Sequence, residues 1–235
     1  MTELNAFSQL LALFAPINKD GYKFVAIAAA STVLAFLLSS ILGLVGVVAT
    51  GAMAFFFRDP VRVVPIGDSL VVAPADGTIF DVATAVPPAE LGLGAGPMTR
   101  ASIFLSLLDV HVTRAPISGR VETSVYSRGS HRNAATLEAK ENERHNFVIA
   151  PADGQRIGVV LISGAVARRL VTEVKTGDGV GAGERIGLIR FGSRVDLYLP
   201  ASTTLLVAEG QRTIAGETII ADLRRNEPPL SFRRI

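Results

Sequence analysis

Residues 24–57, FVAIAAASTVLAFLLSSILGLVGVVATGAMAFFF, run for 34 positions without a charged side chain. No other stretch restricts the fold as strongly. A single helix needs about 20 apolar residues to cross a bilayer and two full spans need about 40, so this run falls between. Lys19 and Lys23 flank one end, Arg58 and Arg62 the other. Positive charge on both sides favours both ends on the same, cytoplasmic face. A hairpin of two short helices satisfies length and charge together. Its turn is expected near Ser39-Ser40 or Gly43–Gly46, where small residues let helices approach closely. One long tilted span is the alternative. The run starts late, is too long for a cleaved leader and lacks a small-residue cleavage site after it. Phe55-Phe56-Phe57 followed by Arg58-Asp59-Pro60 reads as an interfacial exit: aromatics at headgroup depth, charge in water, and Pro stopping the helix.

Composition agrees with a chain that partly meets lipid: of 235 residues, 49% are apolar and the mean hydropathy is +0.41. Cysteine is absent, which removes disulfides, thiol nucleophiles and Cys-ligated metals together. Only His111, His131 and His145 carry imidazoles, so a His-rich metal site is not expected. The net charge of +2 is too small to argue for nucleic acid and suits an anionic membrane surface.

From Val61 onward the texture changes. Short runs rich in Val, Ile, Leu and Thr alternate with Gly, Pro, Asp and Asn, as in SLVVAPADGTIFDVATAV, ASIFLSLLDVHVT, HNFVIA and RIGVVLISG. Strands at this spacing predict a mainly β, antiparallel barrel or sandwich. Helical periodicity is weak, the best candidate lying near Val166–Leu170. APADGTI (73–79), APISGRV (115–121) and APADGQRI (150–157) repeat Ala-Pro before a Gly turn and a strand start. Convergent turn chemistry explains this; so do pseudo-repeated hairpins of a lipoyl-like barrel-sandwich. Residues 86–98, VPPAELGLGAGPM, read as a Gly/Pro loop.

The stretch GERIGLIRFGSRVDLYLP (183–200) contains two strand-like runs split by Gly192-Ser193. By itself a Gly-Ser pair marks a turn or bulge. It also permits a specific chemistry. The serine hydroxyl can attack its own preceding carbonyl, and Gly tolerates the strained backbone this needs. The amide becomes an ester, loss of the Ser193 α-proton expels it by β-elimination, and the resulting dehydroalanine hydrolyses to a pyruvoyl group. Such a ketone can form a Schiff base with a substrate amine and act as an electron sink for decarboxylation.

The neighbouring segments carry a resemblance. FFFRDPVRVVP (55–65), VVAPADGTI (71–79), DVHVTRAPISGRV (109–121), NERH (142–145), GAVARRLV (164–171) and GERIGLIRFGSRVDLYLP (183–200), in this order, are similar to the short bacterial and archaeal form of the phosphatidylserine decarboxylase family. The resemblance covers nearly the whole chain. It implies a pyruvoyl-dependent membrane enzyme that converts phosphatidylserine to phosphatidylethanolamine and CO2, with no metal. It implies a proenzyme cut at Gly192-Ser193 into a β chain, 1–192, and an α chain, 193–235, which stay together as a heterodimer and can assemble further into homo-oligomers. The implied organisation is an anchor, 1–60, and a β-rich catalytic domain, 61–235, at the cytoplasmic face of a bacterial inner membrane.

Site roles follow position by position. Ser193 supplies the pyruvoyl; Asp76, in PADG, matches the aspartate of the self-cleavage machinery; His111, in DVHVTRAP, matches the histidine of the decarboxylation step, where an imidazole is a suitable proton donor. Many long-form members carry a second histidine where this chain has Arg114, and arginine stays protonated. Another group must then act as base, with His145 a candidate and His131 a weaker one, unless Asp76 and water suffice. Arg114, Arg132, Arg144 and His145 are candidates for binding the substrate's phosphate and carboxylate, since guanidinium forks match such anions.

Two alternatives remain at this level. The same reaction could act on another serine phospholipid, such as the ether-linked archaetidylserine. A non-enzymatic, membrane-tethered lipoyl-like barrel would share the anchor and the β texture; Lys175, in VKTGDG, is the lysine placed at a turn as a carrier would need.

Overall fold

A computed structural model describes residues 15–130, 141–152, 154–164, 170–190, 193–225 and 230–232. The chain divides into two compact units, Met1–Val61 and Arg62–Ile235.

The first unit is a helical hairpin, α1 (Tyr22–Leu38) and α2 (Ser40–Phe56). The reversal falls on Ser39, whose extended backbone separates the helices while its Oγ accepts from the Ile41 N–H as an N-cap. Small residues set the packing. A Cβ at Gly43 would stand 2.1 Å from the Phe36 ring, and one at Gly46 would stand 2.7 Å from Thr32 Oγ1. Thr32 and Thr50 join hydroxyls across the interface at 2.9 Å. At the open end Asn18 N–H donates to Phe57 O and Asp59 N–H to Pro16 O, tying together the segments that enter and leave the pair. The outer surface stays apolar and exposed, including Leu37, Leu38, Ile41, Leu44 and Val48. Lys19–Leu38 is long and apolar enough to cross a membrane; Ser40–Phe56 is shorter.

The second unit is built from antiparallel strands: β1 (Leu70–Val72), β2 (Gly77–Ala85), β3 (Met98–Leu105), β4 (Val112–Arg114), β5 (Gly119–Ser127), β6 (Arg144–Ala150), β7 (Ile157–Ser163), β8 (Leu170–Thr172), β9 (Gly179–Val180), β10 (Arg185–Ile189), β11 (Ser193–Leu199), β12 (Arg212–Thr213) and β13 (Ile219–Asp222). The large sheet runs β12-β2-β3-β11-β7-β6-β5-β9; β4-β10-β8 and β1-β13 complete the sandwich. The mainly β, barrel-sandwich expectation therefore holds. Alternation sends Ala101, Ile103, Leu105, Val159, Leu161, Val195 and Leu197 inward, where they join Phe147 and Ile149 in one buried core. Leu91 leads a smaller cluster on the outer side, so the 86–98 loop contributes a 3-10 turn, Ala89–Leu91, that covers Val160, Ile162 and Tyr198.

The Ala-Pro repeats are more than turn chemistry. Val72 N–H donates to Pro116 O, and Arg114 N–H donates to Pro74 O, both at 2.8 Å. Positions that match in the two motifs thus exchange hydrogen bonds reciprocally. Two further matching segments, AGERI (182–186) and AGETI (215–219), close the figure. Gly183 N–H donates to Ala115 O and Gly216 N–H to Ala73 O. Both glycines are left-handed, at φ 75° and 77°, and their turns abut. The third motif precedes β7 and lies outside this exchange.

Gly77 opens β2 at φ 154°, where an added Cβ would lie 2.3 Å from the Phe104 carbonyl oxygen. Neither the backbone conformation nor the neighbouring strand can give. Gly77→Ala is expected to cost about 3 kcal/mol or more and lower the melting temperature by about 10 °C, measured by thermal unfolding of the purified chain.

Candidate active site

Sheet register gathers the chemistry at one end of the large sheet. Ser193, the first residue of β11, is paired with Leu105 at the end of β3 and with Ser163 at the end of β7. The Thr78, Phe104 and Arg194 row lies one residue away, so Gly77 and Asp76 stand at the same end. Asn142 and Glu143, which lead into β6, bracket Ser163: Asn142 Nδ2 donates to its carbonyl and its N–H donates to Glu143 O.

Ser193 is fully buried, as is Ser163 across from it, and neither Oγ has a hydrogen-bond partner among the described residues. A buried hydroxyl left without a partner is unfavourable. Gly192 lies outside the described residues, as do Phe191, His131, Arg132 and the 165–169 segment.

Two ion pairs stand at this end of the sheet. Asp76 accepts both of its bonds from Arg62 Nη2, at 2.9 and 3.0 Å, and a third from the Ala215 N–H at 2.8 Å. Burial pushes the Asp76 carboxyl up; Arg62 and the Ala215 amide pull it down but do not cancel the desolvation, so it stays above the ordinary carboxylate value. Arg62 thus serves Asp76, a role its position beside the apolar run did not suggest. Asp109 is the second centre. Burial pushes its carboxyl up, but hydrogen bonds from Arg212 and from Ser106 more than offset this and hold it below the usual value.

His111 is buried two residues on. Its Nδ1 lies 2.9 Å from the Asp109 carbonyl oxygen. Only an N–H satisfies a carbonyl, so this contact calls for the tautomer with the proton on Nδ1. The His111 carbonyl in turn accepts from Ile189 N–H, at the end of β10. The histidine is therefore joined to the strand that leads into Gly192-Ser193.

The other candidates are spread more widely. Arg114 is buried and donates from Nη1 to Gly183 O, bracing the 181–184 turn. Arg144 and His145 point to opposite faces of β6. Arg144 pairs with Glu90 at the rim of a cavity of about 260 Å³ on the outer face of the sheet, lined also by Arg100, Arg194, Asp196 and Tyr198. Arg194 and Asp196 form a two-point ion pair in it. His145 lies inside, its ring 4.5 Å from that of Phe147 and its Nε2 2.9 Å from Ser124 Oγ. Ser124 Oγ donates to Val174 O, so it accepts from the histidine.

The fold and this cluster define a β-sandwich with a dry, polar end centred on one serine. Comparison with known proteins gives the particular class. The phosphatidylserine decarboxylase family model matches residues 49–221. Relatives include the phosphatidylserine decarboxylase proenzymes of Xanthobacter autotrophicus, 48% identical over 94% of this chain and 94% of its own length, and of Cereibacter sphaeroides, 48% identical over 94% and 96%. That of Nitrobacter winogradskyi is 50% identical over 92% and 88%. This chain belongs to the phosphatidylserine decarboxylase family, a family of enzymes whose members are named as proenzymes. The carrier reading is set aside with it.

Burial pushes the His145 imidazole down from 6.5 to about 4. The unfolded chain takes up this proton near pH 6.5 and the folded chain only near 4, so stability is full above pH 6.5 and falls as pH drops toward 4. Between pH 7 and pH 4.5 the expected loss is about 2 kcal/mol. Urea unfolding at pH 7 and pH 4.5 checks it: His145→Gln should show a smaller difference between the two pH values than the unaltered chain.

Proposed function

We propose that this chain is the precursor of a pyruvoyl-dependent decarboxylase, cut by its own chemistry between Gly192 and Ser193, that converts phosphatidylserine to phosphatidylethanolamine and CO2 at a membrane surface. The observation that carries the reading is the buried Ser193 hydroxyl, without a partner among the described residues, at the head of a central strand and at the end where Asp76, Asp109 and His111 gather.

Self-cleavage needs no outside reagent except water. Ser193 Oγ adds to the Gly192 carbonyl carbon, the C–N bond breaks, and an ester replaces the amide. Removal of the Ser193 α-proton expels the Gly192 carboxylate, and water converts the dehydroalanine to a ketone with release of ammonia. Asp76 is the base for these proton transfers. Desolvation raises its basicity, and Arg62 and the Ala215 amide fix its orientation. Arg114, occupied at Gly183, braces the turn before β10.

The residues present fit a pyruvoyl group. Leu105 lies opposite on β3, Val195 follows on the same face, and Ser163 brings a hydroxyl, without a partner among the described residues, that can donate to a new carbonyl oxygen. That group supplies a ketone that captures the substrate amine and accepts the electron pair left as CO2 departs. His111 returns a proton from Nε2 to the substrate carbon that lost the carboxylate, while Asp109 keeps Nδ1 protonated through its carbonyl. Burial of the cluster keeps water from competing for that carbon.

Membrane docking belongs to the same reading. The exposed apolar surface of the α1–α2 hairpin suits acyl chains, and Lys19, Lys23 and Arg58 suit a cytoplasmic, anionic headgroup layer. A phospholipid substrate then keeps its tails in the bilayer while its headgroup reaches the serine-derived centre.

Intact-mass measurement on the purified protein should find two fragments, residues 1–192 and 193–235, the smaller lacking an amino terminus. Ser193→Ala should remain one chain and release no CO2. His111→Ala should still cut itself but lose about 100-fold or more in turnover of phosphatidylserine; full turnover would remove the imidazole from the reaction.

A further inference from the structure

We propose that the turn between β3 and β4 is a second lipid contact, in which Leu107 and Leu108 enter the bilayer interface beside the catalytic end. The inference rests on the decarboxylase reading above. It concerns the catalytic unit's own surface and does not depend on where the helical hairpin lies.

Register fixes the place of this turn. β3 ends at Leu105, directly opposite Ser193, so residues 106–109 project from the end of the sheet at which β11 begins. His111 follows two residues after the turn. A headgroup that reaches Ser193 from this end passes the turn.

The turn is braced rather than loose. Asp109 N–H donates to Ser106 O at 3.0 Å. Ser106 returns two bonds to Asp109 Oδ2, from its N–H at 2.7 Å and from its Oγ at 2.8 Å. Arg212 holds the same carboxylate from β12. Leu107 and Leu108, at 56% and 72% exposed, are the tip of this structure. A turn stapled by its polar residues while it presents two adjacent leucines to the outside has the form of a wedge. Single exposed leucines are ordinary; a rigid apolar pair beside a site for a diacyl substrate is not.

The flank matches an anionic surface. The Arg212 side chain is 62% exposed next to the turn. Apolar residues at a tip with an exposed guanidinium at its shoulder suit a lipid interface, with leucines at acyl depth and the cation at phosphate depth. A second copy of the chain would bury the leucines equally well but offers no phosphate layer for Arg212.

The chain contains no tryptophan, so one introduced indole reports without background. Leu108→Trp is made in the full-length protein, with Val125→Trp, on β5, as comparator. Both are mixed with phosphatidylcholine–phosphatidylglycerol vesicles, with and without brominated phosphatidylcholine. The expected result is a blue-shifted emission for Leu108→Trp that brominated lipid quenches about twofold or more, while Val125→Trp is unaffected. Emission from Leu108→Trp that stays water-like and unquenched overturns the proposal. So does a blue shift without lipid that grows with protein concentration, which would assign the turn to self-association. In parallel, Leu107→Gln with Leu108→Gln should still cut itself to completion and show about a tenfold rise in apparent KM for phosphatidylserine in vesicles; an unchanged KM counts against the wedge. An unaltered chain that neither cuts itself nor releases CO2 would defeat the decarboxylase reading instead, whatever the quenching shows.

Discussion

The catalytic unit depends on one reciprocal exchange of backbone hydrogen bonds. Val72 gives its amide to Pro116 while Arg114 gives its own to Pro74, and the glycine turns at 183 and 216 close against Ala115 and Ala73. Proline at the acceptor positions has no amide to donate, so each strand crosses its counterpart with a single bond and then turns away. Asp76 leaves one of these crossings and β4 leads into the other. The positions of the aspartate and of the strand beside His111 are therefore set by the same local symmetry.

From that constraint the site follows by register. A two-residue side-chain period decides which groups face inward, and β11 lies between β3 and β7, so Ser193 has a neighbour on each side. The inner faces of those neighbours are apolar apart from Ser163 at this end and Thr99 at the other. Desolvation is consequently strong at this end, and the carboxylates there survive only with guanidinium partners: Arg62 for Asp76 and Arg212 for Asp109. The two answer differently. At Asp109 the hydrogen bonds outweigh desolvation and lower the carboxyl, whereas at Asp76 desolvation wins and raises it.

Much of this was legible in the residues. The uncharged run pointed to a helical hairpin with its turn near Ser39-Ser40 or Gly43–Gly46, of which the first is the reversal found, and the alternating Val/Ile runs pointed to antiparallel sheets. The ordered motifs gave the family. What escaped is what depends on distant pairing. Arg62 read as a flanking charge because its partner is fourteen positions away and across a turn. Arg212 and Ser163 carried no local signal, since an arginine after a Gly-Gln turn and a serine at a strand end are ordinary; only the fold brings Ser163 beside Ser193 and Arg212 to Asp109. The AGERI and AGETI segments were visible as a repeat and could have been found by self-comparison. Arg144 and His145 are adjacent in sequence and were grouped for that reason, yet a strand sends successive side chains to opposite faces.

The place of residues 193–222 in the fold has a consequence for the lifetime of the molecule. β11 sits in the interior of the large sheet, β12 pairs with β2, and β13 pairs with β1 in another sheet. A piece threaded in this way cannot be traded for a fresh copy while the rest stays folded. Under the self-cleavage proposed above, each molecule would be armed once: were its electrophile spent by a side reaction, no exchange of the smaller fragment would restore it, and working catalyst would be replenished only by new translation.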